Sequence, residues 1–164
     1  MRDQRDPIAL ARHNWEDAGW GGAVADGMEA VTSVMRAHQI MLARIEQELK
    51  PFGLTFARFE LLRLLAFSTH GALPISKASD RLQVHVSSAT SAVARLVEAG
   101  LVERRPHPTD GRTTLVAITP GGCEVTERAT LVLNEVFADI GMPQNESRAL
   151  VEAIRSLRRS HGDF

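Results

Sequence analysis

The 164-residue chain has one cysteine, Cys123, so no disulfide closes within it, and a reducing cytoplasm is the expected compartment. It has no apolar run near the ~20 residues that span a bilayer. Its opening Met-Arg-Asp-Gln-Arg-Asp-Pro lacks the apolar core of a signal peptide, so no membrane association is expected. No nucleophile stands beside a base at motif spacing, and no glycine-rich loop is built to cradle phosphates. The histidines (His13, His38, His70, His85, His107 and His161) are scattered without the i, i+4 pairing of a metal site. Enzymatic chemistry, a cofactor and a bound metal are therefore not expected. Strong charge is lacking too. A formal net charge of −1 excludes a generally basic nucleic-acid coat. The positive excess is local: residues 75–119 hold six basic and four acidic side chains, while the segments on either side are acidic on balance.

The remainder is mostly helical in pattern. Residues 1–22 read as an N-terminal arm or short helix around Trp15 and Trp20. From Ala23 to Lys50, Met28, Val31, Met35, His38, Leu42, Ile45 and Leu49 recur at alternating steps of three and four, the seam of a packed helix. At 1.5 Å per residue such a helix is about 40 Å long and outruns a small core, so part of its apolar face needs a partner. Pro51 and Gly53 end it. Thr55 caps a helix from Phe56 to Phe67 with Phe59, Leu62 and Ala66 on one face. Residues 68–74 read as a loop. Ser76 caps a short helix through Leu82, a turn follows at 83–85, and a longer helix runs from Val86 to Ala99, closed by Gly100. Thr119-Pro120 opens the last pair of helices, 121–140 and 144–159. Leu133, Val136, Phe137 and Ile140 stripe the first of these, and Leu150, Ile154 and Leu157 the second.

The most informative stretch is Arg-Arg-Pro-His-Pro-Thr-Asp-Gly-Arg-Thr-Thr-Leu-Val-Ala-Ile-Thr-Pro-Gly-Gly, residues 104–122. Two strand-forming runs flank an Asp-Gly turn, a strong hairpin signal. Short helix, turn, longer helix and two-stranded wing make a winged helix-turn-helix over residues 55–119. The fold class is mostly α with a small β-wing, and long helices over 23–54 and 120–164 are left to join two copies. In such modules the N-terminal residues of the second helix meet base edges in the major groove. Here these are His85, Val86, Ser87, Ser88, Thr90 and Ser91. The hydroxyls suit base edges or phosphates, Val86 suits a thymine methyl, and His85 suits a phosphate or guanine. Arg112 at the hairpin tip suits a narrow minor groove, with Asp110 orienting it. Arg104 and Arg105 suit phosphates. Arg95 is open to a phosphate or to an internal pair with Asp110 or Glu98. Of Lys77 and Arg81 on the first helix, at best one meets phosphate.

The helix order, Leu-Val-Glu-Ala-Gly-Leu-Val-Glu-Arg-Arg at 96–105 and Asp-Gly-Arg-Thr-Thr-Leu-Val-Ala-Ile-Thr-Pro-Gly-Gly at 110–122 resemble the MarR family of bacterial transcription regulators. The resemblance spans about residues 25–160. It implies an obligate homodimer on double-stranded DNA at a pseudo-palindromic operator, usually a repressor released by a small effector, often aromatic or anionic. Two positions depart from the family: Gln83 stands where glycine is common in the turn, and Ser91 where many members have arginine. Trp15 with Trp20 also resembles the N-terminal extension of the urate-responsive subgroup, which would place Arg58, Glu60 and Arg63 near an anion. Ordinary packing is the favoured reading of the tryptophans. His38 fits either a core or interface histidine or a sensor. Cys123, at a helix start, reads as a passive thiol. The expected function is a ligand-responsive repressor. Its rival is a winged-helix protein-interaction module without specific DNA binding.

Overall fold

The computed structural model describes residues 6–110 and 113–164. Seven helices and three strands follow in the order α1 (Pro7–Asp17), α2 (Ala23–Leu49), α3 (Phe56–Ala66), β1 (Ala72–Pro74), α4 (Ile75–Leu82), α5 (Val86–Glu98), β2 (Val102–Pro106), β3 (Thr114–Ile118), α6 (Pro120–Ala138) and α7 (Gln144–Ser160). A short 3-10 turn, Lys50–Phe52, ends α2, as Pro51 and Gly53 require.

The core gathers where α3, α5, α6 and the sheet meet. Phe59, Leu61, Leu62 and Leu65 of α3 pack against Val93 and Leu96 of α5, Val102 and Val116 of the wing, and Ala129, Leu133 and Val136 of α6. The α3 face is wider than its helical stripe implies, because Leu61 and Leu65 are buried and Ala66 only half so. This helix is covered from two sides.

One open local expectation is settled and two change. Residues 7–17 form a true helix, capped by Asp6, whose carboxylate accepts from the Ile8 N–H at 2.9 Å, with Pro7 in the first turn. Residues 72–74, read as loop, are an antiparallel strand on β3, with Leu73 opposite Val116, so the sheet runs β1-β3-β2. Three residues are too few to show a period of two, so no sequence signal marked β1. Finally, α4 begins at Ile75 behind Pro74, and Ser76 sits inside the first turn instead of capping it.

The link between reading unit and long helices is the Thr119-Pro-Gly-Gly corner. Thr119 caps α6, its Oγ1 accepting from the Gly122 N–H at 2.9 Å and donating to the Gly100 carbonyl at 2.8 Å. Its own N–H donates to the Leu101 carbonyl at 3.0 Å. Gly100, left-handed at φ 70°, turns the chain out of α5. A Cβ on Gly122 would lie 2.0 Å from the Leu101 carbonyl oxygen and 2.8 Å from an Ile118 side-chain carbon. The α6 backbone thus sits directly on the α5–β2 junction, an approach only glycine allows.

Beyond this corner the long helices are thinly covered. Val31 is 65% exposed and Met35 58% exposed on α2, and α7 buries no residue, leaving Val151 and Leu157 about half exposed. The α2 seam read from the sequence is therefore largely open within one chain.

Gly122→Ala should lower stability by at least the about 1–3 kcal/mol typical of overpacking. Gly121→Ala, whose Cβ meets nothing nearer than Thr119 Oγ1 at 3.9 Å, is the control and should be nearly neutral. Chemical denaturation of the two variants checks this, and equal midpoints would contradict the close approach.

Candidate nucleic-acid interface

The α5 helix, second of the helix-turn-helix pair, has two chemically distinct faces. Ala89, Val93 and Leu96 are buried, fixing its roll against the core. Val86, Ser87, Ser88, Thr90 and Ser91 are exposed around its first two turns, so the predicted base-reading residues form one patch. His85, exposed and extended, is the N-cap residue, with no side-chain capping bond. The Thr90 hydroxyl donates to the Val86 carbonyl at 2.7 Å, which spends its proton and leaves it an acceptor.

The turn before α5 resolves the departure at Gln83. This residue takes the left-handed conformation itself, φ 54° and ψ 42°, the one positive φ outside glycine among the described residues. The Gln83 N–H donates to the Asp80 carbonyl at 3.2 Å and the Val84 N–H to the Ser79 carbonyl at 3.1 Å. The turn keeps its shape, at a cost of about 1–2 kcal/mol for a residue with a Cβ.

Beside the patch, α5 and the start of α3 bound an open cleft of about 510 Å³ lined by Thr55, Ala57, Arg58, Ser87, Ser88, Ser91, Ala92 and Arg95. It contains two guanidinium groups and no carboxylate. Arg58 Nε donates to Thr55 Oγ1 at 3.1 Å, which aims the side chain back over the N-terminus of α3. Arg95 pairs with Glu98 at 3.1 Å, both about 70% exposed, a pair weak enough to yield to a phosphate. The sequence reading placed Arg58 at an effector site, and it missed Thr55 and Ala57 here. The available signal was the four-residue spacing of Ser87, Ser91 and Arg95, which fixes one face of α5 for α3 to meet.

On the wing, Arg105 pairs with Glu103, two residues away on the same strand face, with Nε to Oε1 at 2.6 Å. Arg104 is exposed and has no ion pair among the described residues. At the tip, the Thr113 hydroxyl donates to Asp110 Oδ2 at 2.6 Å, and the His107 N–H donates to the Thr113 carbonyl at 3.1 Å. Arg112, predicted for the minor groove, lies outside the described residues. Lys77 is exposed near the start of α4.

The candidate sensing residues are not assembled within one chain. Trp15 packs edge-on against Trp20, centroids 5.5 Å apart, at the N-terminal end of α2. Arg12 fastens α1 there, reaching Asp26 and Glu29 at 2.7 Å each, and these partners hold its guanidinium still more firmly charged. Arg58 instead lines a groove with Glu46 and Lys50 at the other end of α2, some 25 Å along the helix axis. Arg63 is engaged elsewhere, bonded to Glu127 at 2.6 Å with its guanidinium 4.4 Å above the Phe67 ring. Glu60 faces a third cleft, of about 50 Å³, beside Leu82 and Val84. Partial burial there pushes its carboxyl above the ordinary range. His38 is exposed on α2 and Cys123 is exposed at the start of α6. Among the described residues no three His, Cys, Asp or Glu side chains are placed to hold a metal, and no helix is long and apolar enough to cross a membrane.

A sequence model of the MarR family matches residues 52–113, the reading unit almost alone. The crystal structure of Sco5413, a MarR family transcriptional regulator from Streptomyces coelicolor, matches over 87% of this chain and 99% of its own, with TM-score 0.77 and 46% identity. The chain belongs to the MarR family. As a MarR family member it is a DNA-binding transcriptional regulator and not an enzyme. The HTH-type transcriptional repressor IacR of Pseudomonas putida is 34% identical over 118 residues, which are 72% of this chain and 66% of IacR's own length. Sco3205, a family member from Streptomyces coelicolor solved in complex with DNA, shares the fold at TM-score 0.74 and 22% identity, over 85% of this chain and 90% of its own.

The position of Glu60 makes a pH prediction. A carboxyl whose folded pKa is raised favours the folded state below its unfolded value, and that contribution is lost as pH rises through the folded pKa. Glu60→Gln should therefore melt above the parent at pH 7, with the gap closing as pH falls below about 4. A gap independent of pH, read by thermal melts across that range, would contradict the desolvation.

Proposed function

We propose that the protein is a homodimeric repressor that binds a pseudo-palindromic operator and is released by a small molecule. The observation that supports this best is the exposed hydroxyl patch at the start of α5, held in roll by Ala89, Val93 and Leu96 and bordered by a cleft of two arginines. Val86, Ser87, Ser88, Thr90 and Ser91 enter the major groove, with His85 at its edge. Arg58 and Arg95 hold a backbone phosphate beside it. Arg104 and Arg105 reach phosphates from the wing, Arg112 reads the minor groove, and Lys77 meets the backbone behind α4.

The open seam of α2 and the uncovered α7 are closed by a second copy, which sets two recognition helices about 34 Å apart. The effector, aromatic or anionic, acts by population shift. To cut operator occupancy a hundredfold it must discriminate the two states by about 2.7 kcal/mol. An apolar cleft of about 110 Å³ between α2 and α6, lined by Met41, Ile45, Val136, Phe137 and Ile140 with Arg44 at its side, has the chemistry for such a molecule, but at less than the ~300 Å³ of a typical ligand site it holds only part of one. Trp15 and His38 remain candidates on the dimerisation side.

Fluorescence anisotropy against the DNA upstream of the protein's own coding region, titrated with salt, tests this reading. Tight binding that saturates at one dimer per site and falls steeply with salt is expected. Binding to a protein partner that is indifferent to salt, with no DNA binding at low salt, would establish the interaction module instead.

Two variants divide the contacts. Arg58→Gln should weaken binding to all sequences alike and reduce the salt slope by about one phosphate. Loss of effector response with unchanged DNA affinity would return Arg58 to a sensing role. Arg112→Ala should cost roughly 1–3 kcal/mol on the specific site while leaving the dimer intact. Unchanged affinity would remove the wing tip from recognition.

A further inference from the structure

Gln83 is an uneconomical choice for a left-handed turn that glycine would fill without strain. Its side chain supplies the reason. The Gln83 Nε2 donates to Asp163 Oδ1 at 3.1 Å, and its Oε1 accepts from Arg158 Nη2 at 3.2 Å. Arg158 Nε donates to Asp163 Oδ2 at 2.5 Å, so the three side chains close a ring in which both ends of the amide are used. The tail is folded to reach this point. Gly162, left-handed at φ 67°, turns residues 161–164 back over the end of α7, and the Asp163 N–H donates to the Arg158 carbonyl at 3.1 Å. The Phe164 ring lies 5.0 Å from the Arg158 guanidinium carbon, further restraining the arginine.

The place of this ring is what gives it a consequence. Gln83 sits two residues before His85, at the hinge from which the reading end of α5 projects. Arg158 lies in the last turn of α7, a helix with no buried residue in the isolated chain. Both hydrogen bonds seen between this end of the chain and another element, among the described residues, go to Gln83. Arg158 and Asp163 keep 44% and 35% side-chain exposure, so the contact is too solvated to contribute much to stability. It defines a position more than it holds the fold together.

We propose that Gln83 is a positioning residue for DNA reading: gripped by Arg158 and Asp163, it ties the last helix of the dimerisation region to the hinge of the recognition helix. Displacement of α7 in the dimer is delivered directly to the N-terminus of α5, without passing through the core. The substitution of the customary small turn residue by glutamine is thus a functional gain, because glycine would have no amide to grip. The inference rests on the homodimer reading above.

The test is the distance between the two recognition helices in the free, full-length dimer. Spin labels are placed at Thr90→Cys in a Cys123→Ser background, and pulsed dipolar spectroscopy compares the parent with Gln83→Gly, Arg158→Gln and the double variant. The parent should give one narrow peak. Each single variant should lose it, and the double variant should be no broader than either. Arg158→Gln should leave the melting temperature unchanged, while Gln83→Gly should raise it by relieving the left-handed strain. Arg158→Gln is the decisive arm, since it leaves the turn residue intact. A narrow peak in Arg158→Gln, whatever glycine does at position 83, would overturn the proposal. So would broadening that adds from one variant to the next. A parent with no inter-label distance would fail the dimer reading and this inference together, whereas a distance indifferent to the variants fails this inference alone.

Discussion

One close approach organises the molecule. At the Thr119-Pro-Gly-Gly corner, the first turn of α6 rests on the carbonyl of Leu101, while the Thr119 hydroxyl joins the end of α5 to the cap of α6. α5, the wing and α6 therefore leave a single joint. From there α6 supplies Ala129, Leu133 and Val136 to the core that fixes the roll of α5. A methyl group at position 122 could not be absorbed by side-chain rotation, because the obstacle is backbone. The orientation of α5 is thus set by packing at a corner away from its exposed hydroxyl patch.

The chemistry of the interface divides between centre and border. The centre is neutral: serine hydroxyls, a threonine whose proton is spent on its own helix, and a valine. Such groups discriminate bases weakly by direct contact. The border is charged, with Arg58 and Arg95 in the cleft and Arg104 and Arg105 on the wing. If this face meets DNA as proposed, affinity comes mainly from phosphates and specificity leans on the shape of the grooves. The acidic balance of the flanking segments limits how many ways the protein can lie on a duplex.

Much of this was legible in the chain itself, and the exceptions have physical causes. Long periodic segments gave their helices away, and the hairpin was announced by Asp110-Gly111 between two strand-forming runs. β1 was hidden because three residues contain no period, and the start of α4 because Pro74 and Ser76 are both plausible openings. Arg58 was drawn toward Glu60 by proximity on one helix, yet the two residues face different clefts. Neighbours two apart on a helix point about 160° from each other, so sequence closeness misleads there. The Gln83 ring was invisible for the opposite reason: its partners are 75 and 80 residues away.

The open seam along α2 and α7 has a kinetic and cellular consequence. Val31, Met35, Val151 and Leu157 are exposed in the single chain, and on the proposed reading a second copy covers them. Below the dissociation constant of that pair, the concentration of the reading species rises with the square of the chain concentration. Halving synthesis then quarters the dimer available to the operator. A change in expression is thereby squared in its effect on the reading species, before any effector has bound.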